Sequence, residues 1–133
     1  MSGRELWALL PPRFPQFFST SNPPSFECGD GWAGIVSLVC QRLSSILDEH
    51  PGSTLEIQRV KEKFGVLRIH LSIQGATDEL RAEIRQTMEV ARAASEHCCE
   101  RCAAVGVLMK GPPMRVRCDA CADLRAYGDH HDV

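Results

Sequence analysis

Along this chain the spacing of apolar positions changes period, and each change marks an element. Between Asp30 and Asp48, Trp32, Val36, Val39, Leu43 and Leu47 recur at helical spacing, with Ile35, Cys40 and Ile46 widening the stripe. Asp30 stands where a helix N-cap belongs, and Pro51-Gly52 ends the run. Cys40 falls on the apolar stripe and is expected to be a small buried hydrophobe, whereas Cys28, before the cap, is open to being a free surface thiol.

From Thr54 the period is two. Leu67, Ile69, Leu71 and Ile73 alternate with Arg68, His70 and Ser72, a half-buried strand. The preceding run, Leu55 to Lys61, alternates in the same way until Arg59 and Val60, where the slip predicts a bulge. Lys63-Phe64-Gly65 reads as the hairpin turn, with Gly65 supplying a positive φ. Thr77 then caps a helix whose inner stripe is Leu80, Ile84, Met88, Ala91 and Ala94, with Asp78 and Glu79 favourably placed in the first turn.

The flanks are less periodic. Residues 1–28 carry Pro11, Pro12, Pro15, Pro23 and Pro24 among Trp7, Phe14, Phe17, Phe18 and Phe26. Proline argues against regular helix, so this stretch is expected to be an irregular lead-in lying across the core, in preference to an aromatic arm reaching for a partner. The predicted architecture is α+β: two long helices packed on a β-hairpin over residues 29–98, a cysteine-bearing unit over 99–128 and a short tail over 129–133.

Chemistry concentrates in that C-terminal unit. Cys99, Cys102, Cys118 and Cys121 form a C-x2-C-x15-C-x2-C array, the spacing of a tetrahedral zinc site. Four thiolates fill the coordination shell, so the array predicts a structural Zn2+ with no open position for a reacting water. Cys98 and His97 are neighbouring donors that stand as alternatives to Cys99. The glycine usual after the second cysteine of such a knuckle is replaced by Ala103 and Ala122. Val105–Lys110 and Met114–Arg117, joined at Gly111-Pro112-Pro113, read as the short strands of a zinc ribbon. The Asp129-His130-His131-Asp132 run is expected to be a solvated tail.

Composition narrows the function classes. At 133 residues with 44% hydrophobic and 24% charged content, the chain has the make-up of one ordinary globular domain. A net charge of −2 gives no global pull towards nucleic acid or anionic lipid. The apolar run Leu6–Leu10 is too short for an export signal or a membrane span, so a reducing cytoplasm and metal ligation explain seven cysteines better than disulfides do. Local cation groups remain: Arg59, Lys61, Lys63 and Arg68 around the hairpin, and Arg115 and Arg117 in the ribbon, are candidate contacts for a partner or for phosphates. The absence of an H-x-E motif before a proline-led C-x-x-C argues against a deaminase, and no other reaction centre is evident.

Three stretches taken together, Cys28-Gly29-Asp30-Gly31-Trp32, Lys61-Glu62-Lys63-Phe64-Gly65-Val66-Leu67-Arg68 and Ser95–Cys102 with its later C-x-x-C, resemble the small, largely uncharacterised proteins encoded in bacteriophages and prophages. The likeness spans roughly residues 26–121 and departs at Ile69-His70, where an aromatic pair is usual, and at Ala103. It implies an accessory protein acting in the bacterial host cytoplasm and transfers no catalytic residue. Such proteins often bind and block a host protein, including by counter-defence (anti-CRISPR-like) inhibition. A host-protein partner is therefore the first expectation and a zinc-ribbon nucleic-acid binder the second, with either the hairpin tip or the ribbon as contact surface.

Overall fold

The computed structural model describes residues 3–110 and 114–122. In chain order its elements are α1 (Gly3–Ala8), α2 (Leu10–Arg13), β1 (Ser25–Glu27), a 3-10 turn (Asp30–Trp32) running into α3 (Ala33–Asp48), β2 (Thr54–Lys63), β3 (Val66–Gln74), α4 (Asp78–Ser95), β4 (Val107–Met109) and β5 (Arg115–Arg117). The fold is mixed α+β. One sheet has the order β1-β2-β3, with β2 parallel to β1 and antiparallel to β3, and a second, two-stranded sheet pairs β4 with β5.

The period-two stretch forms the hairpin because alternation gives it one apolar face. Leu55, Ile57, Val60 and Leu67 are buried on that face, and Arg59, Arg68 and His70 are exposed on the other. Pairing slips between Ile57 and Arg59, which restores Val60 to the inner face after the alternation breaks. Phe64 (φ 54) and Gly65 (φ 84) make the turn, both in the left-handed region that a tight two-residue hairpin connection demands.

The helices cover the apolar face. Val36, Val39, Cys40, Leu43 and Ile46 of α3, with Leu80, Ile84 and Ala91 of α4, complete one buried cluster with the sheet. Thr77 caps α4 through its side-chain oxygen, which accepts the Leu80 amide at 3.1 Å. At the other end, the fully buried Ser95 hydroxyl accepts the Leu67 amide at 3.0 Å and donates to the Arg92 carbonyl at 2.6 Å, tying α4 to the edge strand β3. Val90 of α4 and Leu38 of α3 stay exposed beside a groove between the two helices, so neither joins the core.

The start of the chain differs from its sequence expectation. It is helical in α1 and α2, because Pro11 and Pro12 fall in the first turn of α2, where amide protons would have no intrahelical partner. Its aromatics are core residues: Trp7, Phe14, Phe17 and Phe18 are buried, and Trp7 stacks on Phe26 with centroids 4.7 Å apart. Asp30 is likewise no side-chain cap; the 3-10 turn intervenes and α3 starts at Ala33. The Gly111-Pro112-Pro113 junction and the 129–133 tail lie outside the described residues.

Candidate metal centre

The chain leaves α4 directly into the first cysteine pair. The Ala103 amide donates back to the Cys99 carbonyl at 2.9 Å, and the Cys121 amide donates to the Cys118 carbonyl at 3.1 Å, so each C-x2-C segment closes a tight turn. Ala103 holds φ 72, the left-handed conformation that a knuckle glycine normally supplies. The antiparallel β4–β5 pair, registered Val107 on Arg117 and Met109 on Arg115, sets the second knuckle against the first.

The sulfurs of Cys99, Cys102, Cys118 and Cys121 all lie within 4.8 Å of one another, and those of Cys102 and Cys118 are 3.4 Å apart. Tetrahedral coordination at a metal–sulfur distance near 2.3 Å places ligand sulfurs about 3.8 Å apart, which is compatible with four sulfurs gathered this closely. Cys99, Cys118 and Cys121 are buried and Cys102 faces solvent. Cys98 stands apart from the cluster: its thiol is directed at the Gly31 carbonyl, 3.5 Å away, and the Ala103 carbonyl, 3.7 Å away.

Local electrostatics favour thiolates at two of the four. Burial pushes the Cys99 thiol up, but the backbone amides of Cys102, Cys118 and Arg101 outweigh it and hold the group below its ordinary value. Hydrogen bonding from the Cys102 thiol, aided by the Cys121 amide, brings Cys118 down to about 7. Cys121 is pushed up to about 12, first by burial and then by the sulfurs beside it. A bound cation would reverse that last effect, since a metal-ligated thiol is deprotonated outright. The donor set fits a thiophilic metal ion.

The glycine-rich turn before α3 is the floor of this site. The Gly31 amide donates to the Glu100 carbonyl at 2.8 Å, and the Trp32 indole donates to the Cys98 carbonyl at 2.8 Å. A Cβ on Gly31 would come within 2.3 Å of the Cys99 carbonyl oxygen, and one on Gly29 within 2.3 Å of that of Glu100. Only bare backbone lets the knuckle approach so closely. Cys28, in the same turn, is half-buried and pushed up to about 12 by burial and by the Glu100 and Glu62 carboxylates, so it is a neutral thiol and not an exposed reactive one.

The hairpin tip grips the site from the other side. Glu62 accepts the Gly65 amide at 2.7 Å and the Arg115 guanidinium at 2.9 Å, while Arg115 also meets Glu100 at 3.3 Å. Glu100 in turn pairs with Arg117 at 3.2 Å. Arg117 is 1% exposed and therefore holds the unit together; it is not a contact for a partner or for phosphates, contrary to the sequence expectation, and Arg115 is largely engaged by its two carboxylates. The roles of Glu62, Glu100, Gly29 and Gly31 were not evident in the sequence, where their partners are distant.

The remaining sequence-predicted cations share the solvent face of the hairpin. Arg59 stands opposite His70, Lys61 opposite Arg68, and Lys63 adjoins the turn. Glu27 of β1 engages Arg59 at 2.6 Å, and that hydrogen bond, with a second from Ser25, holds the Glu27 carboxyl down at about 2. At the far end of the molecule His50, Glu79 and Glu83 also converge, the His50 ring meeting Glu83 at 3.1 Å to join the end of α3 to α4. No helix among the described residues is long and apolar enough to cross a membrane. Compared with protein-family models, with curated proteins and with solved structures, the chain matches none.

Proposed function

We propose that this chain is a zinc-clamped nucleic-acid-binding protein, of the phage- and prophage-encoded kind its motifs resemble, and that the solvent face of the β2–β3 hairpin is its contact surface. The carrying observation is the cross-strand register, which puts half-buried Lys61 directly opposite exposed Arg68, with exposed Arg59 two residues away on the same outer face. Lys61 and Arg68 are like charges paired across the sheet, only partly offset by Glu27, which stands opposite Lys61 and engages Arg59, and a polyanion laid over them would relieve that repulsion. Cys99, Cys102, Cys118 and Cys121 would hold the zinc ion in a ribbon-like unit. Such an ion, saturated by sulfur, supplies folding energy and rigidity and keeps no position for substrate. Its role here is to fix the hairpin tip and the cysteine knuckles as one platform.

Zinc-loaded protein should bind a labelled oligonucleotide, with affinity falling linearly on a log–log plot against salt. The double variant Lys61→Glu/Arg68→Glu should lose most of that affinity and flatten the slope, while retaining one zinc per chain by elemental analysis. No measurable binding of any oligonucleotide at 25 mM salt would remove the proposal. Zinc content well below one per chain in reduced material would remove the clamp.

A host-protein partner is the second reading, favoured by Val105 and Val107, which are 85% and 65% exposed on the cysteine-bearing unit. It requires that Val105→Asp/Val107→Asp abolish binding to a purified host protein without loss of zinc.

A further inference from the structure

We infer that the hairpin tip is a stacking platform for an unpaired base, so that the nucleic acid this protein takes is single-stranded. The inference rests on the reading that the hairpin face binds nucleic acid, and adds to it the identity of the strand. Phe64 is 67% exposed and sits at φ 54, in a two-residue turn whose conformation asparagine or glycine adopts without strain. A large apolar ring at that position serves neither the turn nor the core.

The backbone that carries the ring is also held in place: Glu62 fixes the Gly65 amide and is itself fixed by Arg115. A Cβ on Gly65 would lie 2.5 Å from the Leu108 side chain, so the turn rests on the cysteine-bearing unit while the Phe64 ring stays largely exposed. The Lys63 ammonium lies 5.7 Å from the Phe64 ring centroid. The Lys63 cation thus lies over one face of an otherwise largely exposed ring, at the end of the Lys61/Arg68 rung.

That combination suits a single strand better than a duplex. Bases of a single strand are free to stack on an aromatic side chain, whereas those of a duplex are occupied by their neighbours. Stacking is tolerant of sequence, so the expected preference is for strandedness and not for a particular sequence.

The test uses full-length zinc-loaded protein and an oligonucleotide carrying one 2-aminopurine, alone and annealed to its complement. Single-stranded probe should bind more tightly and show a change in 2-aminopurine emission. Phe64→Ala should weaken single-strand binding by roughly 5- to 150-fold, the range that corresponds to one lost base–aromatic stack. It should leave duplex affinity and the salt slope within about twofold. Phe64→Trp should retain single-strand binding, which shows that the ring and not the fold is being read. Equal affinity for both probes, or no effect of Phe64→Ala, would overturn the stacking platform while leaving hairpin binding intact. Absence of binding to either probe would overturn both, and Phe64-dependent capture of a purified host protein in its place would mark the tip as a protein contact.

Discussion

Ala103 shows how much of the metal centre is decided by single residues. Its φ of 72 costs an L-residue with a side chain on the order of 1–2 kcal/mol, and the Ala103 amide must still reach the Cys99 carbonyl. Ala103→Gly should therefore stabilise the knuckle by about 1 kcal/mol after the entropy of the added glycine is subtracted. The check is a higher chelator concentration at the midpoint of zinc removal, with thermal melting of the metal-loaded protein moving up by a few degrees. Ala103→Val should do the reverse. The four clustered cysteines were legible from C-x2-C spacing, which encodes local geometry, and so was the missing glycine. Equal spacing of the two halves favoured Cys99 over Cys98 in the sequence; the physical reason, that the carbonyls of Gly31 and Ala103 draw the Cys98 thiol away, was not legible there.

At the scale of elements, the hairpin was read almost to its ends because alternation, bulge and turn are all local signals. Strand β1 was not: three residues beside Pro23-Pro24 carry no period, and their pairing with Arg59–Lys61 exists only once β2 is in place. The same limit hid the carboxylate–guanidinium chain from Glu62 through Arg115 and Glu100 to Arg117, whose members lie up to 55 residues apart in sequence. In that chain Glu100 is 3% exposed and faces two cations, so its removal takes away the buried carboxylate that Arg115 and Arg117 share. Glu100→Ala should cost about 3–5 kcal/mol, measured by denaturant unfolding of the zinc-loaded protein. The double variant Glu100→Leu/Arg117→Leu should recover a large part of that loss, since replacing both partners removes the stranded charge. A double variant no better than Glu100→Ala would show that the pair is not the source of the cost.

Over the whole molecule, the three motifs that were separate in sequence become one structure. The Cys28–Trp32 turn lies beneath the first knuckle, the Lys61–Arg68 hairpin braces β5 and Leu108, and the cysteines close the far side. Metal removal should consequently propagate along those contacts and not along the chain. Chelation of the zinc-loaded protein should raise hydrogen exchange first in 98–109 and 114–121, then in the hairpin tip at 62–66 and the turn at 28–32. The central amides of α3 and α4 should change least, because their burial is against each other and the sheet. The tip is the informative position: it is more than 30 residues from the nearest cysteine ligand in sequence, yet the Glu62–Arg115 pair and the seat of Gly65 on Leu108 join it to the clamp. If residues 62–66 keep full protection after the metal is gone, the hairpin is rigid on its own account and the cysteine cluster does not organise it. If they loosen with the knuckles, and Glu62→Gln loosens them while zinc is still bound, the cysteine cluster and the hairpin tip are coupled through that one pair of charges.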